Sequence, residues 1–382
     1  MLIMKKIIAL LDKEYPPNHS FVNGMLASVL SQEKDISVSL IVSKNKEFKV
    51  CRYKSNSVCL ATLYPRKGIF RIINFVKIFF LIFKLKKKKD KKKIIFFVRN
   101  DPLYLLVCSF FKNNQTKLIF QSSFPHEEIS GNYFTRYIAK VIYGLCKKRV
   151  DSLLAVSPRG LIRLKKLMPS VTKAEYIPLL SDHYMQTPNF KLLDKNEIVK
   201  FIYVGDHSKL RKLETVLGAI VLSLDRGLQA EFKFIGGEKK DIMRLSKVSG
   251  VCNLIKKGNL KFVQKISRNY LLRLYSNFDV GLSLIPPDNH YIEASPTKLT
   301  EYMGAGLAVL ASKGIEMQEE IVEKSKGGLL CDWCENSIAK HLINISINRQ
   351  ELLRMKKESY KYASERFNYQ NYLKVFRKLI DY

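Results

Sequence analysis

The chain has 382 residues and is 47% hydrophobic, enough at about 150 residues per domain for two or three domains with cores of their own. Sixty-six Lys and Arg against 34 Asp and Glu give a net charge of +32 and a pI of about 9.8, which points to anionic partners: phosphorylated small molecules, nucleic acid or an acidic membrane surface. Disorder as the main state is excluded because the charge sits on apolar-rich sequence, and only 18 Gly and 12 Pro exclude collagen-like and fibrous classes.

In chain order, Lys6–Leu11 reads as a strand. Its apolar run, ended by Asp12-Lys13-Glu14, is too short for a signal-peptide core. A polar loop at Tyr15–Asn18 leads to a helix from about Ser20, and Ile36–Val42 reads as a second strand. Ile69–Lys86 has helical length and apolar content. Lys93–Val98, Lys117–Gln121 and Ser152–Val156 are short apolar runs that read as buried strands. Helices at Leu103–Phe111, Asn132–Lys147 and Pro158–Leu167 separate them. Such alternation predicts a parallel sheet covered on both faces.

No apolar stretch reaches the roughly 18 residues of a membrane span. The nearest candidate, Ile72–Leu85, is broken by Asn74, Lys77 and Lys84. The wider segment Arg71–Lys93 ends in two lysine runs around Asp90. It reads as a core-facing helix with a solvated loop, and also as a contact with anionic lipid worth roughly 1 kcal/mol per basic residue. A peripheral membrane association through this segment is expected.

The alternation pauses between Leu180 and Glu197, a polar stretch containing Pro188, and then restarts. Strands are expected at Ile198–Val204, Glu231–Ile235, Phe278–Leu284 and Leu307–Ala311, and helices at Arg211–Leu224, Asn269–Ser276 and Pro296–Met303. The close is helical from about Ser337 to Leu379. Two Rossmann-like α/β halves with a cleft between them summarise the pattern, with ligands at the carboxyl ends of the strands. Seven cysteines without framework spacing suit a reducing compartment, and Cys331-Asp-Trp-Cys334 lacks the second pair that a structural zinc needs.

Two segments carry chemistry. In the first, Glu293 to Ser312, Ser295 is expected as the N-cap and Pro296 as the first helical residue. The amides of Thr297, Lys298 and Leu299 would then be open to phosphate. Glu293 precedes the helix and Glu301 lies near its end, so one carboxylate can reach a group on the near side of the phosphates and the other hydroxyls on the far side. A capped helix with two solvated glutamates fits the spacing equally well. In the second segment, Phe201 to Glu214, a strand ends in Gly205 and a helix opens with Arg211-Lys212. Those cations can hold a diphosphate, or can be ordinary surface charge in a basic chain.

Together the segments resemble the C-terminal half of glycosyltransferase family 4, a retaining, nucleotide-sugar-dependent family of bacterial surface-polysaccharide type. The resemblance rests on the strand–Gly–loop–Lys pattern, the E-x7-E motif of Glu293 and Glu301, and the helix end Glu301-Tyr-Met-Gly-Ala-Gly306. It is specific over about 199–345. It implies a GT-B fold, with two Rossmann-like domains and a terminal helix crossing back to the first. The ranges would be 1–185 on the acceptor side, a linker at 186–198, a nucleotide-sugar domain at 199–360 and the returning helix at 361–382. It implies transfer of a sugar from a UDP- or GDP-sugar, with no cofactor and no metal, to a glycan or lipid-linked acceptor of O-antigen, capsule or lipopolysaccharide. Carried over, Glu301 would bind ribose and Glu293 sugar hydroxyls, the amides near Lys298 and Leu299 would cradle the diphosphate, and Lys212 would neutralise the leaving group. Asp206 stands where the family often has Arg, so Lys209 or Arg211 would supply that charge. On the acceptor side the expected residues are Asn23-Gly24, in place of a glycine-rich loop, and Arg99. His126 is the candidate cleft histidine, oriented by Glu127 or Glu128. The expected location is cytoplasmic, on the inner face of the plasma membrane. Competing readings are a GT-B nucleotide-sugar epimerase and a non-catalytic binder of anions or nucleic acid. Against the last, the lysines cluster in one helix and loop and no nucleic-acid module is recognisable.

Overall fold

The computed structural model describes residues 4–381, apart from 16, 18, 44–50, 53–57, 64–69, 88–92, 124, 130, 131, 182–187 and 189. The chain divides into two units, Met1–Leu179 with Tyr369–Tyr382, and Leu180–Asn368.

The first unit is built on eight strands: β1 (Lys5–Glu14), β2 (Ile36–Ser43), β3 (Cys51–Arg52), β4 (Val58–Leu63), β5 (Lys93–Arg99), β6 (Thr116–Gln121), β7 (Ser152–Ala155) and β8 (Lys173–Tyr176). Their order is β3-β4-β2-β1-β5-β6-β7-β8. All pairs are parallel except β3 with β4. Sequence reading misses β3, β4 and β8. The first is two residues long, and β8 is a polar edge strand with no apolar run to mark it.

The sheet is covered on both faces, as alternate side chains along β5 make plain. Phe96 joins Ile8, Leu10 and Phe120 in a core closed by helices at Phe70–Lys87, Pro102–Phe110, Tyr133–Cys146 and Pro158–Leu167. Phe97 stacks with Phe21 at 6.0 Å and meets Phe376 at 5.8 Å. Phe376 belongs to the last helix, Leu373–Ile380, so the end of the chain completes the first unit. Its Arg377 pairs with Asp35 and Glu33, and Ser152 donates to the Leu379 carbonyl at 3.0 Å.

The second unit has six parallel strands: β9 (Val199–Val204), β10 (Ala230–Gly237), β11 (Leu260–Gln264), β12 (Val280–Ser283), β13 (Ala308–Ser312) and β14 (Gly328–Cys331). Their order is β11-β10-β9-β12-β13-β14, with the direction of winding reversing between β9 and β12. The expected helix at Arg211–Leu224 is two pieces, a 3₁₀ turn Lys209–Arg211 and a helix Leu213–Asp225. The expected linker residues sit with this unit: Pro188 and Phe190 lie against Gly306, which has φ +76° and no room for a Cβ.

Candidate functional site

In a doubly wound sheet the loops after the two central strands diverge at the reversal and leave a crevice at their carboxyl ends. In the second unit those loops follow β9 and β12, and they meet through side chains. Lys212 Nζ lies 3.2 Å from an Asp288 carboxylate oxygen. The Arg211 guanidinium stacks 4.5 Å over the Tyr291 ring. Lys212 has φ +46°, a left-handed conformation that a residue with a Cβ adopts at a cost of about 1–2 kcal/mol. Strain of this kind gathers at functional sites. The exposed Lys209 opens the same turn. Asp206, by contrast, turns back on its own loop, accepting from the Ser208 amide at 3.2 Å and from the Ser208 hydroxyl.

Glycines set the path of this loop. The Gly205 amide donates to the Ile235 carbonyl at 2.9 Å. Gly236, at φ +116°, faces Gly205 so closely that a Cβ would overlap its carbonyl. Beneath them His207 is fully buried among Tyr203, Phe234 and Phe262. Its Nδ1 lies 2.9 Å from the Gly205 carbonyl, and Nε2 has no partner among the described residues. Burial pushes its pKa below the ordinary 6.5.

The acidic motif arrives on the helix Thr297–Gly304. Its N-cap is Pro296, not Ser295, and the Leu299 amide donates to the Pro296 carbonyl at 3.1 Å. The expected three open amides therefore reduce to Thr297 and Lys298, which have no intrahelical acceptor. Glu301, only 2% exposed, is bound on both oxygens: Oε1 accepts from Arg268 at 2.9 Å, and Oε2 from Tyr275 at 3.0 Å and Lys298 at 2.7 Å. Burial, then the neighbouring carboxylate, hold the Tyr275 phenol well above its ordinary range. The reading of Glu301 as a solvated surface residue is thus wrong. Glu293 lies half-buried in the turn before the helix.

Tyr302 joins the two segments. Its hydroxyl accepts from the Val204 amide at 2.8 Å, just before Gly205. Its ring fills the space that a Cβ on Gly281 would need. Sequence reading treats Tyr302 only as part of a motif and misses Asp288, Tyr291 and Arg268. Each makes its contact across 33 or more residues of chain, which no local spacing reveals.

The first unit has its own reversal, between β1 and β5. Arg99 lies there, but as a buried brace rather than an exposed acceptor contact. It is 2% exposed, bonds to Asp12, lies 2.9 Å from His19 Nε2 and donates to Ser123 at 3.1 Å. Asn100, left-handed at φ +57°, donates to Asp12 at 3.0 Å. Burial works against the Asp12 charge, yet Arg99 and Lys13 hold its carboxyl far below the usual range. Asn23 and Gly24 are not in a loop: they lie in the helical stretch Val22–Val29, where Gly24 makes room for the Tyr369 ring. His126 begins the short helix His126–Ile129, and its side chain lies outside the described residues. Glu127 is turned to Arg163.

Residues 186–362, most of the second unit, match the family model described as glycosyl transferases group 1. No curated protein matches the chain by sequence. Among solved structures, sucrose-phosphate synthase from Thermosynechococcus elongatus superposes with a TM-score of 0.74 at 17% identity, over 98% of this chain and 99% of that one. The Anabaena protein HepE, in complex with UDP and glucose, gives 0.69 at 13% identity over 98% and 99%. The lipopolysaccharide outer core galactosyltransferase WaaB gives 0.67 at 13% over 99% of both. The fold is GT-B, with the terminal helix returned to the first unit.

Proposed function

We propose that this chain, a glycosyltransferase by the domain it carries, moves a hexose with retention from a UDP- or GDP-sugar to a glycan or lipid-linked acceptor in surface-polysaccharide synthesis. The observation that carries this reading is that Lys212 and Arg211, after β9, meet Asp288 and Tyr291, after β12, while Tyr302 of the Thr297–Gly304 helix holds the end of β9. The Thr297 and Lys298 amides take the diphosphate on the positive end of the helix. Lys212, with Arg211 or Lys209, neutralises the charge that develops as the glycosidic bond to the phosphate breaks. Glu301 receives the ribose hydroxyls on Oε2. Arg268 and Tyr275 hold it from the buried side, and Lys298, the more exposed of its partners, leaves it for the diphosphate. Glu293 binds the sugar. Asn23, Gly24 and Arg99 act in the first unit by shaping the acceptor loops, and His126 meets the acceptor hydroxyl. No cofactor or resident metal enters this scheme.

The UDP bound to HepE belongs to that protein, and it supports a nucleoside diphosphate here by likeness of fold. No described helix is long and apolar enough to cross a membrane. We place the enzyme at the inner face of the plasma membrane by peripheral contact through 71–93, whose lysine run falls largely outside the described residues.

The test is a thermal-shift panel of UDP, GDP, ADP and CMP with their sugar conjugates. A ligand at 100 times its dissociation constant adds about 2.7 kcal/mol to stability. Stabilisation by one nucleotide family is expected. Lys212→Ala should then lower turnover of that donor by about 10²–10³. Stabilisation without sugar transfer to any acceptor, but with change of the donor sugar, would make the chain an epimerase instead.

A further inference from the structure

The helix layer on one side of the first unit has a second apolar face. Phe70–Lys87, Pro102–Phe110, Tyr133–Cys146 and Pro158–Leu167 bury Ile78, Leu105, Ile142 and Leu164 toward the sheet. The same four helices hold every exposed large hydrophobic residue among the described residues of this unit. Tyr133, Phe134, Tyr137, Val141 and Leu145 project from Tyr133–Cys146 at helical spacing, with Tyr133 77% and Leu145 66% exposed. Phe70–Lys87 presents Ile72, Val76, Phe80 and Phe83 in the same manner. Phe110 lies beside them, 5.7 Å from Phe79. A helix on a soluble domain normally turns a polar face outward. Single exposed apolar residues are ordinary, but a contiguous set marks a contact surface.

Charge identifies the occupant. None of the four helices contains an Asp or Glu. Arg136 and Lys140 stand among the aromatic residues of Tyr133–Cys146, Lys147 and Lys148 follow it, and Lys165 and Lys166 end Pro158–Leu167. A second copy of this chain would set these cations against their own kind. An anionic bilayer satisfies both features: aromatic and aliphatic side chains enter the boundary below the headgroups, and Lys and Arg remain with the phosphates.

We propose that this helix layer, centred on Tyr133–Cys146, lies flat on an anionic lipid bilayer. The proposal deepens the membrane contact read at 71–93 and rests on it, adding the helices Pro102–Phe110, Tyr133–Cys146 and Pro158–Leu167 to that contact.

Vesicle co-sedimentation tests it. The wild-type protein should pellet with mixed phosphatidylglycerol–phosphatidylcholine vesicles and stay in solution with phosphatidylcholine alone. Phe134→Ser/Tyr137→Ser/Leu145→Ser alters exposed positions only and should weaken partitioning at least about tenfold with an unchanged melting curve. Leu145→Trp gives a second readout, a blue shift of emission on the mixed vesicles. Full binding by the triple variant, or binding without a blue shift, would overturn this surface while leaving a contact at 71–93 standing. No binding of the wild type to either vesicle would overturn both. A dimer in vesicle-free solution that the triple variant abolishes would overturn lipid as the occupant.

Discussion

His207 gives the Gly205 loop a dependence on pH. Burial lowers the pKa of this imidazole in the folded chain, whereas the unfolded chain protonates it near 6.5. Protons therefore favour the unfolded state: stability is present in full above that pH and is lost as pH falls below it. Melting curves at about pH 7.5 and about pH 5.5 should show a fall in Tm on acidification that His207→Phe partly removes. A variant whose deficit is equal at both pH values would show that the imidazole titrates normally in the fold. Glu301 makes a different prediction. Glu301→Gln removes a buried charge from beside Arg268 and Lys298, and should cost about 2–4 kcal/mol, read as a shift in the denaturant midpoint. Glu301, Lys212 and the helix Thr297–Gly304 could be singled out in sequence because each belongs to a motif held within a few residues. Their partners were not, because Asp288, Tyr291 and Arg268 reach them only through the sheet.

The elements around the site are held in register by one tyrosine and one glycine. Gly281 lies in β12 with the Tyr302 ring where its side chain would be, and Tyr302 in turn holds the end of β9. Gly281→Ala overpacks that contact and should cost about 1–3 kcal/mol. It should also weaken nucleotide binding by loosening the Val204 bond, and unchanged nucleotide affinity would show that the loop is held by other means. The parallel strands of both sheets were legible where they are continuous apolar runs, as in Lys93–Arg99. The short edge strands were not, since Cys51–Arg52 and Lys173–Tyr176 draw their pairing from a neighbour rather than from their own composition. Asn23-Gly24 misled for a related reason. A glycine in that position suggests a turn, but here it makes room for an aromatic ring from the far end of the chain.

At the scale of the whole molecule, the first unit depends on residues more than 180 positions beyond its boundary at Leu179. Tyr369 packs on Gly24 and Phe21, and Phe376 covers Phe97. Ending the chain after Asn368 should expose both phenylalanines and lower the Tm of the first unit, with dye binding to apolar surface as the readout. A truncated chain that melts as the full one does would mean that the sheet closes without its last helix.

That return of the chain also bears on its birth at the ribosome. Domains made first usually fold first. Here the earliest strands to emerge must wait, with part of one face of their sheet uncovered, through synthesis of the whole second unit before Leu373–Ile380 arrives. The order of completion thus runs from the second unit to the first.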